Sequence, residues 1–149
     1  MNLKMISYWA TTAAIALETL AGGVTDLIHG REVLMAGQPV VEVVTHLGYP
    51  VYVLTILGVW KLLGGIVLLI PRFPRLKEWA YAGIFFELTG AAASFALHGE
   101  SFFSSPLILA MLALASWALR PPDRTLGVLF PKKQHREAST KPAQASVSR

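Results

Sequence analysis

Four long apolar segments dominate the chain, and each approaches the length of about 20 residues that a helix needs to cross a bilayer. Most prolines and most charges lie outside these segments. The predicted spans are residues 5–28, 49–70, 79–97 and 102–119. The pattern therefore predicts an all-α fold, a four-transmembrane-helix antiparallel bundle that makes up a domain of residues 1–120.

The two longer connections have distinct patterns. After Pro39, the apolar residues Val40, Val43, Val44 and Leu47 recur at helical spacing. They predict a short amphipathic helix in the first outer loop, lying at the membrane interface. The connection "IPRFPRLKEW", residues 70–79, holds two prolines and three cations. That composition predicts a short turn between the second and third spans.

Cations alternate between the two ends of the predicted spans. Lys4 precedes the first span, three cations separate the second from the third, and Arg120 follows the fourth. The two remaining connections hold one cation between them, Arg31. Because short cytoplasmic loops carry an excess of lysine and arginine, we predict that both termini are cytoplasmic.

Composition supports a membrane protein, since 54% of the residues are hydrophobic and 15% are charged. Soluble domains average about 25% charged residues. The net charge of +4 arises in the C-terminal part, which holds seven of the 13 cations and two of the nine anions from Arg120 onward. We predict a basic, disordered cytoplasmic tail at residues 121–149, and no nucleic-acid binding. The chain has no cysteine, which excludes disulfides, thiolate metal sites and cysteine redox relays.

Three ionisable residues lie deep inside the predicted spans: Glu18, Lys61 and Glu87. From the helical rise, they differ in depth by no more than about two turns. Each lies on a stripe of small residues, where transmembrane helices approach closely. Because a charge at the bilayer centre costs about 2.5–3.5 kcal/mol, we predict a mutually paired cluster with Lys61 held between the two glutamates.

Two interpretations of this cluster stay open. It could serve only to fix the register of the helices, or it could bind a polar head group, a proton or a substrate. The cluster has one carboxylate more than Lys61 can neutralise, which suits an acid–base or ligand-anchoring role.

Further polar residues map to the outer side, among them Asp26, His29 and His98. Their spacing matches no compact ligand motif, so we predict no metal site. No phosphate-binding loop, nucleophile elbow or zinc-protease motif occurs in the sequence. The sequence therefore assigns no catalytic residue, and we do not expect an enzyme acting on its own.

The segment "LGYPVYVLTILGVWKLLGGIVLLIPRFPRLKEWAYAGIFFELTGAAASF", residues 47–95, together with "YWATTAAIALETLAGG" near the N-terminus, resembles the DoxX-like family of small membrane proteins. The resemblance covers roughly residues 5–120. It implies a four-span antiparallel bundle in the bacterial plasma membrane, with links in some members to quinone-dependent respiration or oxidative stress.

Three functions are compatible with these observations. The first is a redox- or stress-linked accessory subunit that binds a quinone-like or other amphipathic small molecule at Glu18, Lys61 and Glu87. The second is a non-catalytic membrane partner or assembly factor, and the third is a small proton-coupled transporter. The expected partners are the lipid bilayer and either a membrane redox protein or further copies of the chain.

Overall fold

A computed structural model of the chain describes residues 3–32, 37–71, 73–101 and 105–121. Five helices account for most of these residues. One short antiparallel pair of β-strands lies between the first and second helices. The elements are α1 Leu3–Leu27, β1 Arg31–Glu32, β2 Gln38–Pro39, α2 Val40–His46, α3 Tyr52–Leu69, α4 Pro74–Leu97 and α5 Ser105–Leu119. The fold is all-α apart from this pair, and the predicted tail lies outside the described residues except for Pro121.

The long helices α1, α3, α4 and α5 lie over the four predicted apolar segments. Helix α2 follows Pro39 where the valine spacing places it. The clearest difference is at the start of α4, which begins at Pro74 instead of residue 79. The connection after α3 is therefore shorter than predicted, and Arg75 and Lys77 belong to the helix.

Pro74 and Lys77 together account for the early start of α4. Proline is well suited to the first turn of a helix, which fixes the start at Pro74. Lys77 then lies one turn further on, with 1% of its surface exposed. Its Nζ donates hydrogen bonds to the carbonyls of Val67 and Leu68, at 2.9 and 2.5 Å. Those carbonyls belong to the last turn of α3, where no intrahelical donor is present.

The long helices pack as antiparallel neighbours. Helix α1 contacts α3 and α5, and α4 contacts the same two helices. Gly65 of α3 lies beside Leu20 of α1, whereas Gly58 lies beside Leu27, so the two helices run in opposite directions. We call the end where α1 finishes and α3 starts the α2 end, and the opposite end the Lys77 end.

Polar side chains tie the helices together at the Lys77 end. Arg120 Nη2 lies 2.6 Å from Glu78 Oε1, and Trp117 Nε1 donates to Glu78 Oε2 at 2.7 Å. The Ser116 hydroxyl lies 2.8 Å from the Tyr81 hydroxyl and 2.7 Å from that of Thr12. Since buried polar groups need hydrogen-bond partners, these contacts fix α1, α4 and α5 at one level.

Small residues allow close approach between α1 and α3, as predicted. A Cβ added at Gly58 would lie 2.8 Å from Leu27 Cγ and 2.9 Å from the carbonyl oxygen of Gly23. The corresponding prediction for α4 is wrong. Nothing lies within 4 Å of a Cβ added at Gly83 or Gly90. Helix α4 is buried instead through larger side chains, such as Tyr81 and Ile84.

Large apolar side chains cover much of the outer surface. Trp60, Trp79 and Phe86 are 66%, 80% and 71% exposed. Among the described residues, α3 and α4 are long and apolar enough to cross a membrane, yet only 22% and 33% of their most apolar windows are buried within the protein. A core helix of a soluble protein is mostly buried, so the outward apolar faces favour lipid as their surroundings.

Candidate functional site

Three ionisable side chains from three helices meet at one ion cluster. Lys61 Nζ on α3 lies 2.8 Å from Asp26 Oδ2 on α1 and 3.2 Å from Glu87 Oε1 on α4. The side chains of Asp26, Lys61 and Glu87 are 5%, 16% and 21% exposed. Because an unpaired buried charge is costly, each of these residues depends on the others. We refer to Asp26, Lys61 and Glu87 as the ion cluster.

The α1 carboxylate that contacts Lys61 is Asp26, not Glu18 as predicted. Side chains on a helix lean toward its N-terminus. Lys61 therefore leans toward the α2 end, whereas Asp26, on the antiparallel helix, leans away from that end. The two side chains converge, and the estimate from helical depth alone missed this because it ignored their opposite inclinations.

Gly23 of α1 makes room for the lysine, and Gly22 lies beside its ammonium group. A Cβ added at Gly23 would lie 3.0 Å from Lys61 Cβ, and one at Gly22 would lie 3.6 Å from Lys61 Nζ. Glu18 stays close to the cluster, since its Oε1 would lie 3.7 Å from the same Gly22 Cβ. The predicted set of Glu18, Lys61 and Glu87 is therefore brought together, but it lacks Asp26.

A cavity of about 360 Å³ extends from the ion cluster toward the α2 end. All three cluster residues and Glu18 line it, and the rest of the wall is mainly apolar. Its apolar lining includes Val40, Val43, Val44, Leu47, Val53, Leu54, Leu57, Phe86, Leu88, Ala91, Phe95, Pro106 and Leu109. The cavity thus combines an apolar body with a charged end.

Helix α2 forms part of the cavity wall. The valine stripe that predicted an amphipathic helix at the interface faces the cavity. At the end of α2, His46 Nε2 lies 3.3 Å from Glu100 Oε1, in the segment after α4. A hydrogen bond of 2.8 Å between the hydroxyls of Tyr49 and Ser94 joins the start of α3 to α4 near the same wall.

The comparison with known families found a match over most of the described helices. The family model described as the DoxX-like family matches residues 10–118. The chain belongs to the DoxX-like family. The match includes Glu18 and all three members of the ion cluster, and it ends one residue before the end of α5. No curated protein and no solved structure matches this DoxX-like chain.

The predicted outer-side residues of the DoxX-like chain do not form one site. Asp26 belongs to the ion cluster, and His29 is exposed after α1 with a left-handed backbone, φ 53°. His98 Nδ1 lies 2.9 Å from the carbonyl oxygen of Ser94, and its ring centroid lies 5.9 Å from that of His46. Within the described part of the chain, no three histidine or acidic residues are grouped so as to hold a metal ion.

Sequence reasoning did not place several residues in this site. Asp26 was predicted among the outer-side residues, and the N-terminal lean of helical side chains could have placed it in the ion cluster. The apolar face of α2 was recognised. Its valine spacing could not distinguish a face that contacts lipid from one that lines a cavity, because valine is suited to both. Tyr49 and Ser94 carried no signal, because a tyrosine and a serine near predicted span ends are ordinary interfacial residues.

Proposed function

We propose that this DoxX-like protein binds an amphipathic small molecule, quinone-like in size and polarity, in the cavity between its helices. The apolar body of the ligand lies along α2, α3, α4 and α5. Its polar end lies against Lys61, Asp26 and Glu87, with Glu18 beside them. The protein serves as an accessory subunit for redox or stress chemistry and has no catalytic residue of its own.

A single observation carries the proposal: an apolar cavity of about 360 Å³ ends at a buried ion cluster. Small-molecule sites commonly have volumes of about 300–1,000 Å³, with apolar walls and a few polar groups that orient the ligand. A cluster needed only to fix helix register has no requirement for open space beside it. Ionisable residues within membrane helices commonly mark functional sites.

We further propose that the four long helices cross the bacterial plasma membrane as an antiparallel bundle with both termini in the cytoplasm. The apolar outer surface and the DoxX-like family support insertion in a membrane. Helix α1 has 25 residues, which is long enough to cross a membrane, although its threonines and carboxylates make it less apolar than α3. Helix α5 has 15 residues, and its proposed span begins before its first helical turn.

The cavity is tested by filling it. Gly90 lines the cavity, and Gly83 lies two turns away on the same helix without lining it. Nothing lies within 4 Å of a Cβ added at either position. We expect Gly90→Leu to weaken binding of decylubiquinone to the full-length protein in lipid nanodiscs at least tenfold, while Gly83→Leu leaves it unchanged. Titration calorimetry with empty nanodiscs as the blank measures both.

The ion cluster is tested by Lys61→Met and Glu87→Gln. We expect Lys61→Met to weaken decylubiquinone binding because it removes the ammonium donors, and Glu87→Gln to change the affinity because an amide replaces the carboxylate. Mass spectrometry of the purified protein should identify a co-purifying lipophilic molecule that the Gly90→Leu variant lacks. If both cluster variants bind normally and only their thermal stability changes, the cluster has a structural role and the protein acts as a non-catalytic membrane partner.

A further inference from the structure

The charge balance at the ion cluster limits what a ligand can present there. Lys61 is in contact with two carboxylates, Asp26 at 2.8 Å and Glu87 at 3.2 Å. One ammonium group therefore faces two carboxylates, and the Glu18 carboxyl lines the same cavity. Surplus negative charge in a site with little water is stabilised by hydrogen-bond donors or cations, not by further acceptors.

The count of donors leads to the same result. An ammonium group has three N–H donors and no acceptor, whereas each carboxylate has two oxygens that each accept more than one hydrogen bond. The ion pairs with Asp26 and Glu87 already occupy the ammonium group of Lys61. The four oxygens of these two carboxylates have more acceptor capacity than the lysine can use. An incoming head group therefore meets more acceptors than donors.

Resting on the function proposed above, we infer that the site selects amphiphiles whose polar end donates hydrogen bonds. A hydroxyl or amine head group satisfies the carboxylates of Asp26 and Glu87. An ether, ester or quinone carbonyl has only acceptors and must compete with these carboxylates for the N–H donors of Lys61. Of a quinone and its quinol, the cavity binds the reduced form more tightly, because the quinol has two O–H donors.

A matched pair of probes tests this inference without redox chemistry. 4-Decylphenol and 4-decylanisole share an aromatic ring and an apolar tail, and they differ in that the phenol donates a hydrogen bond and the methyl ether does not. We expect the full-length protein in nanodiscs to bind the phenol about tenfold more tightly, because an unmet hydrogen bond to a charged group has an effect of that order. Decylamine, a cationic donor, also binds more tightly than the anisole.

Variants of the two carboxylates locate the selectivity. The double variant Asp26→Asn, Glu87→Gln replaces acceptor-only groups by amides that also donate, so the ratio of the two affinities falls to about one. The single variant Glu87→Gln lowers the ratio partway. Glu42→Gln, an exposed position on α2, keeps the full ratio. Since both probes are compared within each variant, a general loss of stability does not change the ratio.

The outcomes separate the inference from the function on which it rests. Equal affinities in the unaltered protein, or tighter binding of the anisole, overturn the selectivity and leave the ligand-binding function standing. If neither probe nor decylubiquinone binds, the proposed function itself is wrong, and the selectivity is lost with it.

Discussion

At the scale of single residues, Lys61 is held by contacts that reach three helices. It extends from α3, contacts Asp26 on α1 and Glu87 on α4, and lies against the glycine backbone of α1. Removing one member of a buried ion group leaves an uncompensated charge, which costs about 3–5 kcal/mol. Lys61 is therefore a residue on which the positions of α1 and α4 both depend.

A double-mutant cycle measures the contact between Lys61 and Asp26. We expect Lys61→Met and Asp26→Asn each to lower the free energy of unfolding, and the double variant to lower it by less than the sum. The coupling should be about 1–3 kcal/mol, as for residues in direct contact. Denaturation in mixed detergent measures all four proteins.

The control for this cycle pairs Lys61→Met with Glu78→Gln. Glu78 takes part in the separate contact with Arg120 at the Lys77 end. Distant sites add within about 0.5 kcal/mol, so this pair should show no coupling. Additive effects for Lys61 and Asp26 would contradict the short distance between them.

The sequence predicted part of the site at this scale. The similar depths of Glu18, Lys61 and Glu87 in the predicted spans indicated a shared cluster. The ends of an apolar run fix the depth of each of its residues. The choice between Glu18 and Asp26 depends on side-chain inclination and helix rotation. Those follow from the contacts between α1 and α3, such as Gly23 against Gly58, which are not visible in a single helix.

At the scale of elements, Gly58 sets the distance between α1 and α3. We expect Gly58→Ala to lower the free energy of unfolding by about 1–3 kcal/mol, since its Cβ would clash with Leu27 and with the backbone of Gly23. Gly83→Ala is the matched control: it has open space and should be neutral or stabilising by up to about 1 kcal/mol. Thermal unfolding of both variants compares them, and equal midpoints would rule out close packing at Gly58.

Lys77 makes a second contact between elements that can be tested. Replacing it by methionine keeps most of the apolar stem but removes both hydrogen bonds to the end of α3. We expect Lys77→Met to lower the free energy of unfolding by about 1–3 kcal/mol. Arg75→Met, at an exposed position on the same helix, should change it by less than about 0.5 kcal/mol. A larger effect at Arg75 than at Lys77 would show that α3 ends without this support.

The elements themselves were easier to predict than their surroundings. Long apolar runs produced the four helices, and the valine spacing produced α2. Lys77 was misjudged because a cation beside prolines usually lies in a loop, and its partners are backbone carbonyls that carry no sequence signal. The stripe on α4 was misjudged because glycine is compatible both with a close contact and with the open cavity beside Gly90.

At the scale of the whole molecule, the proposed topology can be tested by labelling single cysteines. The chain has no cysteine, so single cysteines report their own exposure. We expect Gln38→Cys and Ser101→Cys to react with a membrane-impermeant maleimide in intact cells. Pro71→Cys and Ser139→Cys should react only after the membrane is opened. Labelling of all four in intact cells, or of none, would contradict four spans with cytoplasmic termini.

The wall of the cavity is open to the outside along α4. Phe86 and Gly90 both line the cavity and both lie on the exposed surface of the helix. In a membrane, that surface faces acyl chains instead of water. A hydrophobic ligand would then reach the site by partition and lateral diffusion within the lipid. Occupancy would follow the mole fraction of ligand in the bilayer, and doubling the amount of lipid at constant total ligand would lower it.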